Sequence, residues 1–514
     1  MNKNSRTKNS VINSIYASVS QIVTILLTFI VRTVFIQVLS AEYLGVNGLF
    51  TNIITMLSLA DLGIGISIPY TLYKPLAEDN KSKIKVLMKL YSKIYNVIGI
   101  VVLLIGVAIT PFLKYIIKDI PDIPEINIIY ILFVVNSACS YFFVYKKLLM
   151  DSDQKGYIAN KIIMITTIVK SAVEILILYI TKNYIAYLLV SIVVTILQNL
   201  AISIKCNKMY PYIKEKTEEK VSKEDVKKLR KNTSALVIYR IGTVALTGTD
   251  SIIISKFIGV VAVGIYSNYI LITNAITKVI SQIFSAITSS IGNLVVTSNE
   301  KKSEEVLYKL QFLNFWLYTF FSVCVIALIN PFIKLWIGEQ YLLDNYVAFA
   351  IGLNLYLLGM QNVVSSFRNA YGLFIQGKYR PLIMTIVNII LSIWWAQLIG
   401  ILGVILSTAV SRLFIVGIYD PIVLYKHGFK NKPKKYFITY TKYFIIFAIL
   451  SAISLYVIDL INMSNFGIWI IVGCILAIAV NIVLIVLFYK DENFAFYKNK
   501  LKNIINKKLK KSKV

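Results

Sequence analysis

The chain has 514 residues, is 57% hydrophobic, and carries 54 Lys and Arg against 25 Asp and Glu, a formal net charge of +29. So apolar a chain excludes an ordinary water-soluble protein. Its single histidine, His427, excludes His-rich metal centres and His-based catalytic triads.

Apolar runs of about 20 residues, each enough to cross a core of about 30 Å as helix, recur from end to end. About fourteen are predicted: 12–39, 45–70, 86–113, 126–148, 158–180, 184–204, 233–257, 263–291, 312–333, 346–367, 381–398, 400–424, 443–460 and 466–487. None shows the alternation of a membrane barrel, so the expected fold is an all-α integral membrane protein. Lys3, Arg6 and Lys8 form a basic start, but the apolar stretch behind them is too long for a cleavable signal and lacks a small-residue cleavage site.

Placement of the charge speaks to orientation rather than to nucleic acid. Forty-four of the 54 Lys and Arg fall at the N-terminus, on every second loop and on the C-terminal tail. Five more, Lys114, Lys118, Lys182, Lys256 and Lys334, fall on the opposite loops. The positive-inside rule then puts both termini in the cytoplasm, which requires an even number of spans.

Further along, residues 205–232 are dense in Lys and Glu, and Ser222 with Asp225 reads as a capping box for a short helix. Six predicted spans precede this stretch and eight follow it. The two sides look alike at an offset of about 220 residues: Leu44-Gly45-Val46-Asn47-Gly48 pairs with Val263-Gly264-Ile265-Tyr266-Ser267, and Gln154-Lys155-Gly156-Tyr157 with Gln376-Gly377-Lys378-Tyr379. The expected division is an N-terminal lobe (1–204), a cytoplasmic linker (205–232), a C-terminal lobe (233–424), two added helices (425–489) and a basic tail (490–514). In that tail Phe494, Tyr497, Leu501, Ile504 and Ile505 take near-helical spacing among lysines, which suits either an anionic membrane face or solvent. Cys139, Cys206, Cys324 and Cys474 are scattered and read as small apolar residues.

Five basic residues inside predicted spans are read as intramembrane and not as loop charges: Arg32, Lys170, Arg240, Lys278 and Arg412. Each costs about 2.5–3.5 kcal/mol on insertion scales, so each needs a partner or a polar cavity. Together they are the candidate binding groups for an anion. Three acids share the setting, Asp61, Asp250 and Glu174, and are the candidate ion-coupling groups. Lys170 and Glu174, spaced i,i+4, either neutralise one another or serve a substrate. Arg32 either snorkels outward or faces the cavity. Arg240 and Lys278 are equidistant in sequence from Gly259, where two antiparallel spans meet, so a common depth is expected. No P-loop, G-x-S-x-G or zinc-protease motif is present. Neither catalysis nor a cofactor is expected, and the energy source is left open between a Na⁺ or H⁺ gradient, the membrane potential and downhill movement of substrate.

Several stretches resemble the Wzx-type polysaccharide flippases of the multidrug/oligosaccharidyl-lipid/polysaccharide (MOP) exporter superfamily. They are Arg32-Thr-Val-Phe-Ile-Gln-Val-Leu-Ser-Ala-Glu42-Tyr-Leu-Gly-Val-Asn-Gly48, Ser58-Leu-Ala-Asp61-Leu-Gly-Ile-Gly65 and Tyr73-Lys-Pro-Leu-Ala-Glu78. Asp250-Ser-Ile-Ile-Ile-Ser-Lys-Phe-Ile-Gly259, Val263-Gly-Ile-Tyr-Ser-Asn268, Arg368-Asn-Ala-Tyr-Gly-Leu-Phe374 and Gly403-Val-Ile-Leu-Ser-Thr408 extend the likeness. The resemblance implies two six-helix lobes around a central cavity with two further helices. It also implies transfer of an undecaprenyl-pyrophosphate-linked oligosaccharide across the bacterial cytoplasmic membrane, alongside polymerase and glycosyltransferase partners and membrane lipids, with no nucleic acid. Rival readings are a lipid II flippase, a drug or metabolite antiporter, and a non-transporting scaffold for glycan assembly.

Overall fold

In the computed structural model, residues 3–57, 64–118, 123–215, 242, 244, 248–373 and 376–511 are described. Among them there is no strand, and eleven helices are long and apolar enough to cross a membrane. The difference from the expected fourteen has two sources. Predicted spans 45–70 and 233–257 include residues outside the described set, as does the capping box at Ser222. Predicted spans 381–398 and 400–424 form one helical run, Arg380–Phe429, broken where Ile399 and Gly400 leave helical dihedrals. Gly400 sits at φ +63°, a left-handed value that glycine adopts without steric cost.

The chain divides into two compact units, Met1–Ser267 with Pro381–Ile401, and Asn268–Arg380 with Leu402–Val514. In the first, the helices are α1 (Lys3–Val38), α2 (Ala41–Leu57), α3 (Ile64–Ala77), α4 (Lys81–Ile109), α5 (Ile126–Tyr141), α6 (Val144–Ser152), α7 (Gly156–Thr181) and α8 (Tyr184–Met209). Two of them start on asparagine caps: Asn80 accepts from the Lys83 N–H, and Asn183 from those of Ile185 and Ala186. Helix α1 shows how the sequence sets orientation. Ile22, Leu26 and Ile30, spaced by four, are exposed, as a lipid-facing stripe requires, while Thr24, Thr28 and Arg32 line a cavity.

The repeat glycines seen in the sequence meet one another. A Cβ on Gly45 would lie 2.1 Å from the Val260 carbonyl oxygen, and one on Gly264 would lie 2.7 Å from the Gly45 nitrogen. Backbone faces backbone, so neither position has room for a side chain.

The second unit holds most of α9 (Val260–Thr297), then α10 (Glu300–Ile337), α11 (Asn345–Met360), α12 (Asn362–Ala370), the end of α13 (Arg380–Ser411), α14 (Gly417–Leu424), α15 (Lys434–Asp459), α16 (Phe466–Phe488) and α17 (Glu492–Lys511). Its core is aromatic: Phe315 stacks on Tyr443 and Tyr356 on Phe447, each pair with centroids 4.0 Å apart. Two π-helical turns, Arg412–Val416 and Tyr425–Phe429, bracket α14. The tail helix α17 starts by packing on α10, with Phe494 stacked on Trp316 and the Tyr497 hydroxyl donating to the Lys309 carbonyl.

A common pattern links the units. A 16-residue helix followed at once by a 9-residue helix occurs as α5–α6 and again as α11–α12. The first break falls where Phe143 takes φ +67°, the second at Gln361.

Candidate functional site

Four helices of the first unit, α1, α2, α7 and α8, enclose a cavity of about 440 Å³. Its walls mix threonines, Asn47 and Gln198 with the charged groups Arg32, Lys170 and Glu174. Three of the eight residues singled out by sequence are therefore brought together.

Each is held differently. Arg32 is half-buried and its Nη1 donates to the Ser267 hydroxyl at 3.3 Å. That hydroxyl donates onward to the Gly264 carbonyl at 2.7 Å, so the arginine reads the close helix crossing made by Gly45 and Gly264. Of the two expectations for Arg32, cavity-facing is the geometry found. Glu174 is 3% exposed, accepts from the Ser191 hydroxyl at 3.2 Å, and pairs with Lys170 at 3.6 Å, as the i,i+4 spacing implies. Lys170 keeps about a third of its side chain exposed, leaving the ammonium open to the cavity.

The wall is stiffened by aromatic and amide contacts. Asn47 donates to the Tyr184 hydroxyl at 2.9 Å, and Phe35 meets both Tyr184 and Tyr187 edge-on. Thr166 donates to the Gln198 carbonyl at 2.7 Å, which leaves the Gln198 amide protons for other acceptors. The chamber thus offers two cations, one internally compensated carboxylate and several neutral hydrogen-bonding groups. Such a set suits an oxyanion attached to a hydroxylated body.

The other sequence candidates lie elsewhere. Asp61 and Arg240 are outside the described residues, so the shared depth of Arg240 and Lys278 rests on sequence alone. Asp250 is half-buried in a helix over residues 248–257, and Gly259, at φ +137°, makes the expected turn into α9. Lys278 is exposed on α9, and Arg412 is half-buried at the start of a π-helical turn, both in the second unit.

The sequence reading missed a buried network in the second unit. Asp420 on α14 receives the Arg368 guanidinium at 2.7 Å and also binds Arg380. All three are at most 8% exposed. By charge placement Arg368 and Arg380 fall on loops, while Asp420 falls inside predicted span 400–424. That acid, following two arginines that flank a short loop, was the available signal.

Another miss is in the first unit. Lys146 on α6 is 8% exposed and its ammonium donates to the Ser203 hydroxyl at 2.6 Å. Close by, the Tyr210 hydroxyl donates to Asp153 at 2.6 Å, and burial together with that carboxylate raises its pKa. Burial also pushes the Tyr212 hydroxyl up to about 12, so both phenols stay neutral donors at physiological pH.

Residues 10–288 match the family described as "Polysaccharide biosynthesis protein". The chain belongs to that family. No curated protein matches it in sequence. Among solved structures it is similar to the lipid II flippase MurJ in an inward closed conformation, with TM-score 0.62 and 16% identity, covering 94% of this chain and 99% of that one. It is also similar to an inward-facing multidrug resistance MATE family transporter of the MOP superfamily, with TM-score 0.60 and 14% identity over 78% of this chain and 94% of that one. A third is the Vibrio cholerae MATE transporter VcmN, as a point mutant, with TM-score 0.57 and 12% identity over 82% and 99%. At these identities the likeness is one of fold, in keeping with the eleven helices long and apolar enough to cross a membrane among the described residues.

Proposed function

We propose that this family member carries a pyrophosphate-linked oligosaccharide lipid, of the undecaprenyl class, from the inner to the outer leaflet of a bacterial cytoplasmic membrane. The observation that carries the reading is the first-unit cavity, where Arg32 and Lys170 face a space whose other polar groups include threonines, Asn47, Gln198 and the Lys170-paired Glu174. A diphosphate is drawn to such cations once water is excluded, and the neutral groups suit sugar hydroxyls. Lobes 1–204 and 233–424 would alternate access, both termini being cytoplasmic, while the lipid tail stays in the bilayer. Lys278, Arg240 and Arg412 are further candidate cations for the substrate, with Asp61, Asp250 and Glu174 as candidate ion-coupling groups for Na⁺ or H⁺. Polymerase and glycosyltransferases are the expected partners.

The head-group anion of lipid II has the same chemistry, and the MurJ-like fold favours it as the second reading. An organic-cation antiporter fits less well, because the one carboxylate lining the cavity is already bridged to Lys170.

The test is reconstitution in vesicles with fluorescent pyrophosphate-linked glycan lipid, and lipid II as competitor. Leaflet transfer that needs Arg32 and discriminates between the two donors supports the reading; transfer unaffected by Arg32→Gln removes it. Asp250→Asn should weaken dependence on a Na⁺ or proton gradient, and unchanged dependence would take Asp250 out of coupling.

A further inference from the structure

A second cavity in the first unit, of about 640 Å³, is lined by five lysines and one carboxylate. Lys85, Lys89 and Lys93 come from one face of α4 at i, i+4 and i+8; Lys146 comes from α6 and Lys214 from the 3₁₀ turn Pro211–Lys214. Like charges at i,i+4 repel, so anions that meet this face stabilise it. The lining carboxylate, Glu215, is 2.9 Å from Lys85, and so serves the edge of the group. Neighbouring Asp153 is engaged by Lys155 at 2.7 Å and by Tyr210. Lys146 sits at the back of the group. Ser203 accepts one of its protons, and the Phe143 and Tyr145 rings lie 5.1 Å and 5.9 Å from its ammonium. Among the described residues its ammonium meets a hydroxyl and ring faces and no carboxylate, so an anion entering the cavity would favour its charged form. Ser92 and Asn207 add neutral hydrogen-bonding groups to the wall.

From this arrangement we infer a second anion site, separate from the Arg32 cavity, that takes a diphosphate or similarly phosphate-dense group. Lys93, Lys146 and Lys214 alone carry more charge than one monoanion neutralises, and the volume leaves space for a sugar or lipid moiety attached to the phosphates. By the charge distribution of the sequence, the site opens at the cytoplasmic side, where it would hold the anion before or apart from transfer. This placement rests on the proposed orientation, whereas the binding itself does not. The ligand is either a lipid head group at the inner leaflet or a soluble phosphate compound, and the same lysines recognise both.

The experiment is lysine footprinting by acetylation and mass spectrometry on the full-length protein in nanodiscs. One arm adds inorganic pyrophosphate to phosphatidylcholine discs; the other replaces a fraction of the lipid by cardiolipin, which carries two phosphates, without pyrophosphate. Protection of Lys85, Lys89, Lys93 and Lys214 in the first arm assigns a soluble source, and in the second a lipid head group. Lys93→Gln with Lys214→Gln, both at the rim and away from the Ser203 contact, should weaken protection of the remaining lysines about tenfold in ligand concentration. Arg32→Gln should leave it unchanged, which separates this site from the transfer cavity whatever the transfer assay shows. Equal reactivity in all arms, or protection abolished by Arg32→Gln, would overturn the inference.

Discussion

The two short helices α6 and α12 are nine residues each, follow 16-residue helices, and each buries a cation, yet they treat it in opposite ways. On α12, Arg368 is sealed against Asp420, which also holds Arg380. On α6, Lys146 meets a hydroxyl and two rings, and lines an open basic cavity. A cation sealed from solvent against a carboxylate is out of a ligand's reach, whereas a charge facing a cavity with neutral partners is within it. The Arg32 cavity belongs with the second kind, and Lys170 with its Glu174 partner stands between the two.

The largest expected effect comes from the sealed network. Asp420→Ala leaves two buried guanidinium groups without their carboxylate and should cost about 3–5 kcal/mol. Thermal melting of the purified protein checks this, and export should fall in proportion to folded protein. A melt within a degree of the parent would show that Arg368 and Arg380 reach water, and the contrast between the units would collapse.

Next comes the open cavity. Arg32→Gln should leave melting nearly unchanged, because the Ser267 contact is one neutral-acceptor bond at 3.3 Å. Transfer of a pyrophosphate-linked substrate should drop about 10–100-fold, the worth of a charge-assisted bond of about 1.5–3 kcal/mol. Arg32→Lys should retain part of the activity, keeping the charge but losing the planar fork. A large loss of stability with proportionate loss of transfer would move Arg32 into the structural class.

How much of this was legible in the sequence depends on where each charge lies along its helix. Arg32, Lys170 and Glu174 stand far inside apolar runs, so their cost in a membrane is plain from sequence. Their convergence follows from α1, α7 and α8 packing together. The facing glycines Gly45 and Gly264 were visible as a repeat, since only a close backbone crossing selects glycine at both places. Lys146, Arg368 and Arg380 were not legible, because they lie near the ends of apolar runs and charge counting assigns such residues to loops. The helix breaks at Phe143 and Gln361 let a further nine residues continue as helix, and this buries the cations. Hydropathy has no access to that. The network at Asp420 depends on residues 40 and 52 positions apart, a pairing fixed by tertiary packing alone.

A smaller effect sharpens the middle case. Glu174→Gln keeps an acceptor for Ser191 but removes the charge beside Lys170. If Lys170 serves the substrate, the more positive cavity should bind the lipid-linked anion more tightly, lowering the half-saturating concentration severalfold, with a stability loss of about 1 kcal/mol. If instead Glu174→Gln and Lys170→Gln each destabilise by several kcal/mol and leave substrate affinity alone, the pair is a sealed one like that at Asp420.

The smallest effect separates distance from burial. Lys430 and Glu300 in the second unit approach to 2.8 Å, close to the 2.7 Å between Arg368 and Asp420. Yet their side chains are 74% and 43% exposed, against 2% for each member of the sealed pair. Water screens an exposed pair and already solvates either partner when the other is lost, so little energy depends on the contact. Lys430→Gln should therefore give no measurable change in melting temperature at physiological salt, and transfer should proceed at the parental rate. If it destabilised the protein as much as Asp420→Ala, contact distance and not desolvation would set the worth of these pairs. The division of the molecule's charges into sealed and open groups would then lose its physical basis.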